Sequence, residues 1–228
     1  MTIHDRTRNV VVVFGDQLDP DSAAFDDFDS AHDVVVMTEA SEEATYIPQH
    51  RQRLILFFSA MRHMRDELRR LDRRVLYSEL EDPSNTGSLS DELMRRLETL
   101  QPERIIALEP GDYRVQGELK AVAARTNTPL ELRTDTHFLD TRAGFADFAE
   151  QRRTLRLEHY YRGLRKRYGI LMDGTQPEGG RWNFDADNRA ALNRTARGKL
   201  TPQARVPRTP AVEDVMAMVA RQIGRAHV

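Results

Sequence analysis

Residues 10–18 read VVVVFGDQL, and the way this run ends decides the fold. Four valines and a phenylalanine with no polar alternation suit a strand covered on both faces, as in a parallel sheet. The run stops abruptly at Gly15, Asp16 and Gln17, a glycine followed by two hydrogen-bonding side chains. Further strands are predicted at DVVVM (33–37), RVLYSEL (74–80), RIIALEP (104–110) and PLELRTD (129–135). Helical spacing fills the intervals. From Pro48 onward, Leu54, Phe57, Phe58, Met61, Leu68 and Leu71 share one face, LSDELMRRLETL (89–100) reads as a helix with Ser90 as its N-cap, and 113–125 reads as another. Strand and helix alternate through residue 135, which predicts an α/β fold, a Rossmann-like parallel five-stranded sheet flanked by helices.

Such sheets bind ligands beyond the carboxyl ends of their strands. Three predicted strand ends are polar: Gly15-Asp16-Gln17, Thr38-Glu39 and Glu109-Pro110-Gly111-Asp112. They can line one pocket, or Gly15 and Asp16 can simply make a tight turn. The familiar phosphate motifs are missing: no GxGxxG follows the first strand and no GxxxxGK[ST] occurs. Neither an HExxH nor a GxSxG is present. Seven histidines are scattered, and His50, His63, His137 and His159 each fit a capping or packing role.

Of the 228 residues 39% are hydrophobic and 31% charged, enough for a core and a solvated surface. No apolar run approaches a membrane span and MTIHDRTRN carries no signal-peptide pattern, so the expectation is a cytoplasmic protein without membrane contact. With no cysteine, the chain can form neither disulfides nor thiolate metal sites, and no metal ligands are assigned.

The chain changes character after residue 135. Residues 150–208 hold fourteen Lys and Arg against six Asp and Glu, a net +8, although the whole chain carries −2. Residues 137–172 read as one or two helices, the later one placing Leu157, Tyr160, Tyr161, Leu164 and Tyr168 among basic residues. Such a stripe can stack on bases and touch phosphates, or dock as an ordinary amphipathic helix. In DGTQPEGGRWNFDADNR (173–189), Gly179-Gly180 permits close backbone approach, and Trp182 and Phe184 anchor the segment. KLTPQARVPRTP (199–210) reads as an extended linker. A last helix carries Val212, Val215, Met216, Val219 and Ile223 on one face, with nothing evident to cover it. The domain organisation expected is therefore an α/β domain at 8–135, a helical and loop connecting region at 136–200, and at 201–228 a linker opening a truncated helical domain.

Three stretches resemble one family: FGDQL at 14–18, the run from Glu39 through SAMRHMRDEL, and above all EHYYRGLRKRYGILMDGTQPEGGRWNFDADNR at 158–189. The chain is similar to the photolyase-related proteins, the iron–sulphur branch of the cryptochrome/photolyase family that includes prokaryotic (6-4) photolyases. The resemblance runs from Val10 to about Pro210. It implies an N-terminal α/β domain able to hold an antenna chromophore, in some members a ribityllumazine. A C-terminal helical domain, absent from this chain, would hold FAD, the iron–sulphur cluster and the DNA lesion. The resemblance further implies that Phe14, Gly15, Asp16, Gln17 and Leu18 face the antenna, with Glu39, Tyr46 and His50 completing its wall. It gives this chain no catalytic residue. Arg152, Arg153, Arg162, Arg165, Lys166 and Arg167 are expected to meet DNA or the helical domain, and the apolar faces of 155–168 and 212–223 to promote self-association. The function implied is the antenna and scaffold part of a light-driven repair enzyme for UV pyrimidine dimers. The alternative is a non-catalytic light-sensing, cryptochrome-like or small-ligand-binding module.

Overall fold

A computed structural model of the chain describes residues 7–150, 152–185 and 204–222, together with 191, 195, 198, 199, 201 and 202. These fall into two compact units, one formed by the chain up to Asp135 with Arg208 onward, the other by Thr136–Pro207.

The first unit is built on five strands, β1 (Asn9–Val12), β2 (Val34–Thr38), β3 (Val75–Ser78), β4 (Arg104–Leu108) and β5 (Leu130–Arg133). All pair in parallel in the order β3-β2-β1-β4-β5. This is the Rossmann-like α/β arrangement expected. The uninterrupted valines follow from the pleat, because alternate residues serve opposite faces and both faces are buried. Val11, Val35, Met37, Ile106 and Leu108 contribute to the core cluster on one face, and Val10, Val12, Val36, Ile105 and Ala107 to the cluster on the other.

The first face is covered by α2 (Arg51–Arg70), which contributes Leu54, Phe58, Met61, Met64 and Leu68. The second is covered by α3 (Leu89–Leu100) and α4 (Tyr113–Thr126) through Leu93, Leu97, Leu119 and Val122. A single turn after β2, α1 (Ser41–Thr45), was not expected from the sequence. The N-cap of α3 is Ser88, not Ser90: the Ser88 hydroxyl accepts from the Asp91 N–H at 3.4 Å. Ser90 instead donates to Glu118 at 3.4 Å.

The last helix, α7 (Pro210–Gln222), corrects a second expectation. It belongs to the first unit, and Val215, Met218 and Val219 are buried in the same cluster as the α2 side chains. Its apolar face is thus covered at Val215, Met218 and Val219, while Ile223 lies outside the described residues. The imidazole of His63 on α2 lies 2.8 Å from the hydroxyl of Thr209, whose backbone carbonyl accepts from Val212 and Glu213 at the helix start. Arg221 donates twice to Glu81, at 3.1 and 2.7 Å. Sequence spacing marks the apolar stripe but cannot name a partner about 150 residues away.

In the second unit residues 137–172 hold two helices, α5 (Arg142–Glu150) and α6 (Leu157–Tyr168), of which α6 carries most of the basic residues. They meet through aromatic rings, Tyr160 standing 5.1 Å from Phe145 and 4.9 Å from Phe148. The Tyr160 hydroxyl donates to Asp140 at 2.9 Å. Leu157, Tyr161 and Tyr168 of the same helix remain exposed. Gly169 ends α6 in the left-handed region at φ 66°, and a short hairpin follows, β6 (Met172–Asp173) with β7 (Gln176–Pro177). Among the described residues no helix is long and apolar enough to cross a membrane.

Candidate functional site

The strand order places β1 between β2 and β4, so the chain leaves the sheet in opposite directions on either side of β1. That is the switch point at which open α/β sheets bind ligands. A cleft of about 340 Å³ lies there, and the carboxyl ends of all three strands enter its wall, through Phe14, Gly15 and Asp16, through Thr38, and through Pro110 and Asp112. Tyr46, Ile47 and Glu43 follow from the β2 side, Arg114 and Val115 from α4, and Arg53, Phe57 and Met61 from α2. Gly15 and Asp16 line the cleft and also sit in a turn, which the Gln17 N–H closes on the Phe14 carbonyl at 3.0 Å.

Gly15 is required by its neighbours. A Cβ there would collide with Cε1 of Phe57 and lie 2.9 Å from Sδ of Met61, so glycine lets α2 close against the end of β1. Asp16 points its carboxyl into a crowded, acidic corner. Burial pushes its pKa up, and the charges of Asp135, Asp112 and Glu43 add to that rise. Asp112 also caps α4, accepting from the Arg114 N–H at 2.7 Å.

Arg114 reaches from α4 to the far side of the crevice. Its guanidinium donates to Glu43 at 2.8 Å and to Glu118 at 2.8 Å, and lies 5.0 Å from the centroid of the Tyr46 ring. Hydrogen bonding to Glu43 leads the rise in its pKa, helped by Glu118, with desolvation opposing.

Four of the eight residues expected to face a ligand line this cleft: Phe14, Gly15, Asp16 and Tyr46. The other four have different surroundings. Gln17 ties β1 to β4, its amide donating to the Glu109 carbonyl at 3.0 Å. Leu18 packs against the core. His50 caps α2 by accepting from the Gln52 N–H at 3.2 Å. Glu39 is fully buried beneath the cleft: Arg62 donates to it at 2.7 and 3.0 Å, the Tyr77 hydroxyl at 2.7 Å and the Leu80 N–H at 2.8 Å. Burial opposes the Arg62 charge, but Glu39 outweighs it and holds the guanidinium pKa above its ordinary value. Burial, then the Glu39 charge, raises that of Tyr77. The sequence reading missed Glu43, Phe57 and Arg114 as lining residues. Arg114 had a usable signal, two positions past a polar strand end at the start of a helix. Phe57 had none, because it sits within the apolar stripe that marks α2 as core.

The six basic candidates of the second unit also separate. Arg165 is buried at 6% exposure and holds the turn after α6, donating to the carbonyls of Ile170 (3.0 Å) and Leu171. Arg162 pairs with Glu158 along the helix. Arg162, Arg165 and Lys166 all lie within 5.4 Å of the Trp182 ring. Arg167 reaches Asp140 at 3.2 Å, and Arg152 lies over Phe148 at 3.9 Å. Arg153 is exposed.

Fold and cleft together define a doubly wound α/β protein with an open crevice at its switch point. Comparison with known sequences makes this more specific. The family model described as deoxyribodipyrimidine photo-lyase-related protein matches residues 11–227, and the chain belongs to that family. The (6-4) photolyase of Agrobacterium fabrum is 41% identical over 180 residues, which cover 79% of this chain and 36% of that protein. The matched part therefore spans little more than a third of the relative's length.

Proposed function

We propose that this chain is the antenna and scaffold portion of a light-driven DNA photolyase-related protein, and that its strand-end cleft holds a light-absorbing heterocycle carrying a ribityl chain. The observation that carries the reading is the cleft at the β1 switch point. Its volume of about 340 Å³ falls at the low end for small-molecule sites, which run to roughly 1,000 Å³, and suits one fused ring system better than a dinucleotide. Phe14, Tyr46 and Phe57 offer aromatic surface, and Thr38, Asp16 and Asp112 offer partners for ring N–H groups and ribityl hydroxyls. Bound there, the heterocycle would supply light absorption. The protein's part is to orient the ring and exclude water from it.

Repair of UV-damaged DNA is proposed on the similarity to a (6-4) photolyase and on the basic second unit. The flavin and cluster chemistry of repair is assigned to the helical part that the family resemblance implies, and no catalytic residue to this chain. Incubation with a ribityllumazine followed by gel filtration tests the antenna role. A near-ultraviolet to blue absorbance band that elutes with the protein is expected. Complete separation of dye and protein would defeat the reading.

A further inference from the structure

Tyr46 presents an anomaly. It lines the cleft, yet 69% of its surface is exposed, and it sits at the end of a one-turn helix. A helix that short has little intrinsic stability. An exposed ring on such a base has many orientations open to it, and a ligand that stacked on it would bear the entropy of ordering it. The Arg114 guanidinium lies 5.0 Å from its centroid, a cation–π contact that narrows those orientations.

Arg114 is itself held at both ends. Glu118, one turn further along α4, accepts from Nη1, and Glu43, in α1, accepts from Nη2. Asp112 lies 3.7 Å from the same Nη2. The side chain thus joins the helix that follows β4 to the helix that follows β2, and β1 lies between those two strands in the sheet. With three carboxylates around it, Arg114 has little charge left for an anionic ligand. Its geometry suits it better to hold protein groups in place than to bind a ligand phosphate.

We propose that Arg114 is the positioning residue of the cleft, tying α1 to α4 and holding the Tyr46 ring as the face on which a planar heterocycle stacks. This rests on the antenna reading above. Held by Arg114, the ring is ordered ahead of binding, so the ordering cost is removed from binding. The chemistry that fits is a flat, uncharged, electron-poor ring system, which gains from offset stacking on a phenol.

The test is a double-mutant cycle read by fluorescence titration of the full chain, with a ribityllumazine and riboflavin as probes. Arg114→Gln is expected to weaken binding about fivefold, the effect of leaving one side chain to be ordered on binding. Arg114→Lys, which keeps a cation over the ring but loses the two-ended fork, should fall between wild type and Gln. Tyr46→Ala should weaken binding about tenfold, a size typical of an aromatic stacking partner. The double variant should be no weaker than Tyr46→Ala alone, a non-additivity that a merely structural role would not produce. Melting temperatures establish that each variant is folded. Additive losses, or unaltered affinity in Arg114→Gln, would overturn the Arg114 assignment while leaving the antenna reading intact. Absence of binding by the wild-type chain to both probes would overturn both.

Discussion

Arg62 on α2 grips Glu39 at the end of β2 with two hydrogen bonds, at 2.7 and 3.0 Å, and both side chains are buried. Tyr77 and the Leu80 backbone fill the remaining acceptor sites of the carboxylate. Removing one member of a buried pair strands the other, at a cost of about 3–5 kcal/mol. Glu39→Ala is therefore expected to destabilise the α/β unit by that order in urea denaturation. A loss below about 1 kcal/mol would mean that Glu79, 3.6 Å from the same guanidinium, is enough to neutralise Arg62.

Acid sensitivity should come from Asp33 and Glu92. Burial opposes the charge of both, but Arg8 and backbone N–H groups around Asp33 hold its pKa below the ordinary value, and Arg95 with Ser78 and Thr86 does the same for Glu92. As pH falls, the unfolded chain takes up these protons first, so stability present above about pH 4–4.5 is lost as pH drops through the lower folded values. Asp33→Asn and Glu92→Gln should each flatten the acid limb of a stability–pH curve. An unaltered limb in both would assign acid unfolding to other carboxylates.

Asp16 carries the opposite sign. Its folded pKa is raised, so ionisation at neutral pH works against folding, and that effect disappears once pH falls below the unfolded value near 4. Asp16→Asn should be the more stable protein at pH 7, with the difference closing in acid. Paired thermal melts at pH 7 and pH 3.5 measure this, and a variant less stable at pH 7 would contradict it.

The fold was legible because its determinants are local. Unbroken valine runs at 10–13 and 34–36 need two covered faces, and helical stripes between strands leave few topologies open. Glu39 was legible as a polar strand end but not as a buried ion, because the Arg62 that neutralises it is 23 residues away. Arg165 looked like any other basic residue of its helix until the turn at 170–171 folded its carbonyls back onto it. Of the residues expected to face a ligand, Phe14, Gly15, Asp16 and Tyr46 line the cleft, while Arg114 emerges only when α1 and α4 are brought together.

Met218 is 1% exposed where α7 packs against α2. Met218→Ala should cost about 2–5 kcal/mol, the usual range for a buried methionine truncated in a packed core. Native-state hydrogen exchange on α2 should accelerate in parallel. Full stability in this variant would mean that α7 is not part of the core of the first unit.

Gly15→Ala should be destabilising by about 1–3 kcal/mol, as overpacking typically is. Phe57→Leu should partly rescue it, because the ring carbon nearest the new methyl is removed. A Gly15→Ala protein as stable as wild type would show that α2 yields without strain.

Within the basic surface, Arg153 and Lys166 should contribute to non-specific DNA binding, whereas Arg165→Ala should loosen the turn after α6. Two phosphate contacts would give a log–log salt slope of about −1.8, roughly a 12-fold loss between about 50 and 200 mM salt. Gel shifts across that range check the slope. Salt-independent binding would rule out phosphate contacts as its source.

Titration of the purified chain with a ribityllumazine decides whether the β1 switch-point cleft is a chromophore site. Saturable one-to-one binding is expected for wild type, and its loss in Val115→Trp, where an indole grows into the cleft from α4. Binding that survives Val115→Trp undiminished would place the chromophore elsewhere, and no binding by the wild-type chain would mean that the cleft is not a chromophore site.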